Sequence, residues 1–131
     1  MKKKKIMWIG SLLGMLMVIM NACYYDEVIP VEQNVGDVGE MSFSKDIVVI
    51  FNTSCNVSGC HSRGGQKPDL TADNAFNSLT NGGYFNTTTP ESSTIYLWMT
   101  GKKGTPMPPS GSNATYSAKV LAWIEQGALN N

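Results

Sequence analysis

The segment Cys55-Asn-Val-Ser-Gly-Cys60-His61 sets two thiols and the chain's single imidazole close together in sequence. Two thiols can add across the two vinyl groups of a haem, and an imidazole directly after the second thiol can bind the iron of the same macrocycle. The usual attachment spacing is C-x-x-C-H. Here four residues separate the cysteines, and Ser58 and Gly59 allow the wider loop without moving the Cys60-His61 pair. Other chemistry stays open for the same residues. In an exported domain Cys55 and Cys60 would pair as a small disulfide, with His61 incidental. A zinc site needs a fourth ligand beside Cys55, Cys60 and His61. A catalytic Cys–His pair needs an orienting partner, and sequence neighbours rarely point toward each other. An iron–sulfur cluster needs four cysteines, and the 131 residues contain three.

The elements that must position this segment are short helices. Ser44 opens a run in which Ile47, Ile50 and Phe51 share one helical face, although its β-branched residues also suit a strand. A second helical pattern covers residues 69–81, with Thr71 as cap, Ala75, Leu79 and Phe76 facing inward, and Gly82-Gly83 as the stop. A third is expected from Pro90, capped by Thr89, with Ile95, Leu97, Trp98 and Met99 as its apolar content and Gly101 at its end. The last runs from Ser117 to Gln126 and carries Val120, Leu121, Trp123 and Ile124. Between the last two lies Lys102-Lys103-Gly104-Thr105-Pro106-Met107-Pro108-Pro109-Ser110-Gly111, which can be neither regular helix nor central strand. The expectation is an all-α domain of three to four short helices with long loops, and such loops need something to organise around.

Met107, 46 residues beyond His61, stands in a proline-flanked loop ahead of a helix that carries Trp123. In the order helix, C-x4-C-H, Pro-flanked Met and aromatic-bearing final helix, residues 42–127 resemble the class I cytochrome c family. The resemblance implies a small cytochrome c-like fold around one covalent haem c. Cys55 and Cys60 would then be the thioether residues, His61 the proximal axial ligand and Met107 the distal one. The flanking prolines restrict the backbone and lower the entropy cost of holding a soft thioether toward iron. Met99 is the competing thioether, but its place beside Trp98 in a helical pattern suits the core; Met41 is a weaker competitor.

The N-terminal residues read as an address. Lys2–Lys5 precede fifteen uncharged residues, Ile6 to Met20, fewer than the ~20 needed to span a bilayer. Ile19-Met20-Asn21-Ala22-Cys23 resembles a bacterial lipobox, with Met20 and Asn21 looser than the usual residues. The expected division is a lipoprotein signal peptide at 1–22, lipidated Cys23 with an acidic tether to residue 41, and a cytochrome c-like domain at 42–131. An uncleaved N-terminal anchor is the alternative. The formal charge of zero conceals this division: without the leader the count is ten acids against six bases, a net of −4. Five acids and no base fall between Tyr24 and Met41, a stretch able to reach about 60 Å when extended.

The expected function is a membrane-anchored monohaem cytochrome carrying single electrons between redox partners outside the cytoplasm, on the periplasmic or cell-surface side of a bacterial envelope. It would be no enzyme and have no nucleic-acid partner. Arg63, Lys67, Lys102 and Lys103, four of the domain's six bases, flank the two ligand segments. They are expected to form a weakly basic rim that steers toward an acidic surface, or else merely to solvate loops or pair with haem propionates. The alternatives are a haem-based sensor or peroxidase-like domain with an open iron position, and an accessory c-type subunit of a larger surface complex.

Overall fold

The computed structural model describes residues 38–131. The expected leader, Cys23 and the tether as far as residue 37 lie outside the described residues. Within them the fold is helical with no strand: α1 is Val48–Ser54, led by a π-helical turn Phe43–Ile47; α2 is Ala75–Asn81; α3 is Thr94–Met99; α4 is Ala114–Glu125.

Ser42, not Ser44, caps the first element. Its Oγ accepts the Lys45 N–H at 3.3 Å, and its own N–H donates to the Asp46 carboxylate at 3.0 Å. That reciprocal cap places Phe43 inside the first turn. The wider π turn, with the Ile47 N–H reaching the Ser42 carbonyl at 3.3 Å, brings Phe43 and Ile47 onto the face of Ile50 and Phe51. All four are buried, whereas Val49 is 54 % exposed, a helical alternation that rejects the strand reading.

Asn113 caps α4 by accepting the Tyr116 N–H at 3.0 Å, so the helix starts three residues before the expected Ser117. Val120, Trp123 and Ile124 are fully buried on one face. Trp123 meets Phe43 at 5.2 Å and Phe85 edge-on at 5.3 Å between ring centroids, joining α4 to the first turn. Gly127 at φ +97° reverses the chain, and the Leu129 carbonyl then accepts the Trp123 indole N–H at 2.9 Å. Asn131 returns to the first turn, accepting the Phe43 and Ser44 N–H groups at 2.8 and 2.9 Å. Those are two of the N–H groups that a helix start leaves without intrahelical partners.

The other two helices are shorter than expected. Asp69 accepts the N–H and hydroxyl of Thr71 at 3.0 and 2.6 Å and the Asn74 amide at 3.1 Å, which makes a turn of residues 69–74 and delays α2 to Ala75. Ala75 and Leu79 are buried as expected. Pro90 does open a helical turn behind Thr89, but only the 3₁₀ turn Pro90–Ser92. Ser93, extended at ψ 129° and 1 % exposed, interrupts it, because its hydroxyl turns inward to accept the Asn86 N–H at 3.0 Å.

Residues just before the expected domain start at Ser42 also pack on α4. Met41 is buried in the core, and the Gln126 side chain accepts the Met41 N–H at 2.7 Å while donating to the Gly39 carbonyl at 3.1 Å. The end of the acidic stretch thus belongs to the folded unit.

Candidate functional site

Cys55 is the C-cap of α1, its N–H donating to the Phe51 carbonyl at 2.9 Å. The loop that follows closes on itself: Cys60 N–H donates to the Val57 carbonyl at 3.0 Å and His61 N–H to the Cys55 carbonyl at 3.1 Å. Gly59, at φ +82°, supplies the left-handed residue this tight closure needs. Leu70 N–H donates to the His61 carbonyl at 2.8 Å, so the His61 backbone is held from both sides. Gly65 lies so close under the Cys60 carbonyl that a Cβ there would overlap it.

The imidazole is oriented by two carbonyls. His61 Nδ1 lies 3.1 Å from the Pro68 oxygen and 3.2 Å from the Gln66 oxygen. Both partners only accept, so Nδ1 carries the hydrogen and Nε2 keeps its lone pair for a metal. Burial pushes the Cys55 thiol up to about 11, with Cys60 adding to the rise, so it remains a protonated thiol at neutral pH. The two cysteines are free, not joined as a disulfide.

Met107 arrives from the opposite loop. Its N–H donates to the Trp98 carbonyl near the end of α3 at 3.0 Å, and Gly104 packs on the Trp98 ring, where a Cβ would stand 3.1 Å from Cζ3. Cys55, His61 and Met107 thereby face one cavity of about 370 Å³, walled by Phe51, Leu70, Ile95 and Trp98 among others. That size lies within the ~300–1,000 Å³ of small-molecule and cofactor sites. Met99, expected in the core, is indeed buried, yet it also borders this cavity. Cys60 is half-buried beside His61 and does not line it.

An apolar cavity with a metal-ready imidazole, thioether sulfurs and an adjoining pair of free thiols fits a haem. By contrast, no cluster of three His, Cys, Asp or Glu side chains able to hold a metal ion occurs among the described residues. The bases of the expected rim differ in their surroundings. Arg63 is ion-paired with Asp73, and Lys102 stands 5.4 Å over the Tyr96 ring. Lys67 alone of the four borders the cavity.

Pro68, Trp98 and Gly65 join the site without having been expected there. The sequence holds a partial signal for two of them: a glycine pair shortly beyond His61 and a proline seven residues after it. Nothing local points to Trp98. No protein-family model, curated protein or solved structure matches this chain.

Proposed function

We propose that this chain is a monohaem c-type cytochrome with a cytochrome c-like fold, tethered to a membrane through Cys23 outside the cytoplasm and carrying single electrons between redox proteins. The observation that supports it is the convergence of Cys55, His61 and Met107 on one apolar cavity, with His61 Nδ1 engaged by Pro68 and its Nε2 left to ligate. Bound there, haem supplies an iron centre that exchanges one electron with little rearrangement. The chain's own residues would do the rest. Cys55 and Cys60 would hold the macrocycle by thioether bonds, and the carbonyls of Pro68 and Gln66 would keep the imidazole from rotating. Phe51, Leu70, Ile95 and Trp98 would exclude water. Lipidation at Cys23 would confine the domain to the membrane plane, while the acidic stretch would let it reach partners.

Haem staining of a denaturing gel tests this reading, using protein made with the haem-attachment machinery. Covalent haem is expected in the unmodified chain and none in Cys55→Ala/Cys60→Ala; an unstained unmodified chain would end the proposal. The second thioether bordering the cavity, Met99, bears on the alternative of an open iron position. Resistance of the reduced protein to carbon monoxide supports a filled sixth position and a carrier. Immediate binding supports the sensor or peroxidase-like reading instead.

A further inference from the structure

Ile95, Trp98 and Met99 of α3 border the cavity, and the loop that brings Met107 to it starts where α3 ends. The last carbonyls of a helix have no intrahelical partners, and here the loop takes them. The Leu97 carbonyl accepts the Lys103 N–H at 3.2 Å. The Trp98 carbonyl accepts two donors, the Gly101 N–H at 3.1 Å and the Met107 N–H at 3.0 Å. Among the described residues, each backbone hydrogen bond that leaves residues 101–111 ends on Leu97 or Trp98.

Packing follows the same route. Gly104 lies against the six-membered ring of Trp98, where a Cβ would stand 3.1 Å from Cζ3 and 3.4 Å from Cη2. Its φ of +145° is a second reason for glycine at that position. Lys102 adds a cation–π contact to α3, with its Nζ 5.4 Å over the Tyr96 ring. Pro106 and Pro108 restrict the loop, but a proline has no N–H and anchors nothing by donating.

We infer that Trp98 is the positioning residue for the Met107 thioether; the inference rests on the haem reading above. Its carbonyl holds the Met107 N–H and its ring seats Gly104, so α3 fixes how far the loop carries the sulfur into the cavity. A shift of the Trp98 ring would move the loop and withdraw the sulfur. The iron position that Met107 is proposed to fill would then stand open to a small external ligand.

The test uses the full chain with haem attached, unmodified and as Gly104→Ala, Trp98→Phe, Gly104→Ala/Trp98→Phe and Met107→Ala. Two readouts follow the sulfur: the charge-transfer absorption of a thioether-bound ferric iron, and the rate at which the ferrous protein takes up carbon monoxide. Met107→Ala should abolish the absorption and set the rate of an open position. Gly104→Ala pushes on the Trp98 ring, and should weaken the absorption and speed uptake about tenfold or more. Trp98→Phe unseats Gly104 but leaves every backbone bond in place, and should speed uptake less. In the double variant the smaller ring makes room for the added Cβ, so uptake should be slower than in Gly104→Ala alone.

Either single variant matching the unmodified chain in both readouts overturns the inference alone, and Trp98→Phe decides this even where Gly104→Ala does not fold. Effects that simply multiply in the double variant overturn it too. A Met107→Ala protein that keeps the absorption overturns the ligand role of Met107 together with the inference. Absence of covalent haem from the unmodified chain overturns the haem reading as well.

Discussion

Around Trp123, the side chains of Ile47, Phe51, Val120 and Ile124 are all at 0 % exposure. Around His61 the comparison reverses: Cys55, His61, Trp98 and Met107 are each half-buried, and Cys55, His61 and Met107 stand at or beyond helix ends. The first region is finished by the chain itself, through aromatic contacts and the hydrogen bond from Trp123 to Leu129. The second presents apolar walls to a cavity, and its loops are held by backbone bonds, such as Met107 to Trp98, His61 to Cys55 and Leu70 to His61. The difference teaches that the cavity is built onto the finished region: Phe51, Leu70, Ile95 and Met99 are core residues that also line it. The first turn and α4 pack on each other through Phe43 and Trp123, while the segments that carry Cys55, His61 and Met107 border the cavity.

The largest break should come from the finished half. Trp123→Ala removes a fully buried indole and its hydrogen bond, and should cost about 3–5 kcal/mol, measured by chemical denaturation of the unmodified and variant chains. A result under about 1 kcal/mol would mean that the Phe43–Trp123 junction is not the centre of the core.

Gly65→Ala attacks the other half. The added Cβ meets the Cys60 carbonyl, so residues 60–66 must shift, at about 1–3 kcal/mol. Hydrogen exchange should speed up at Gln66 and Leu70 while the amides of α4 stay unchanged. Equal acceleration in α4 would show that the two regions unfold as one. Asn113→Ala should cost about 1 kcal/mol through loss of the α4 cap, read as a lower thermal midpoint with no change in the cavity.

The smallest effect is a pH dependence confined to the turn before α2. Hydrogen bonds from the Thr71 hydroxyl and N–H hold the Asp69 carboxyl below its ordinary range, and the Arg63 guanidinium does the same for Asp73. A depressed folded value means stability that is present above the ordinary carboxylate range and lost as pH falls through the depressed value. Between neutral pH and the acid range, the thermal midpoint of the unmodified chain should therefore fall slightly more than that of Asp69→Asn. A steeper fall in the variant would reverse the assignment.

Several of these elements are legible in the order of residues alone. The faces Ile47–Ile50–Phe51 and Val120–Trp123–Ile124 follow from local periodicity, and the Gly82 and Gly127 stops from residue type. Local pattern favours Ser44 over Ser42 as the first cap, because the choice depends on burying Phe43 against Trp123, a residue 80 positions away. The interruption at Ser93 escapes local pattern for a similar reason: its hydroxyl answers Asn86, a partner that periodicity does not reveal. Periodicity places Met99 among the buried residues, but it does not tell a core face from a cavity wall, since both are apolar.

By itself the sequence determined the helical class and its buried faces, the adjacency of Cys60 and His61, and the proline-bounded setting of Met107. Those are properties of neighbouring residues, and they survive any arrangement of the helices. Only the tertiary structure decided which imidazole nitrogen stays free, because that depends on carbonyls of Gln66 and Pro68 folding back onto Nδ1. It also decided that Cys55, His61 and Met107 share one cavity, and that Lys67 borders it while Arg63 turns to Asp73. Such outcomes depend on where loops meet in space, which neither periodicity nor spacing along the chain can express.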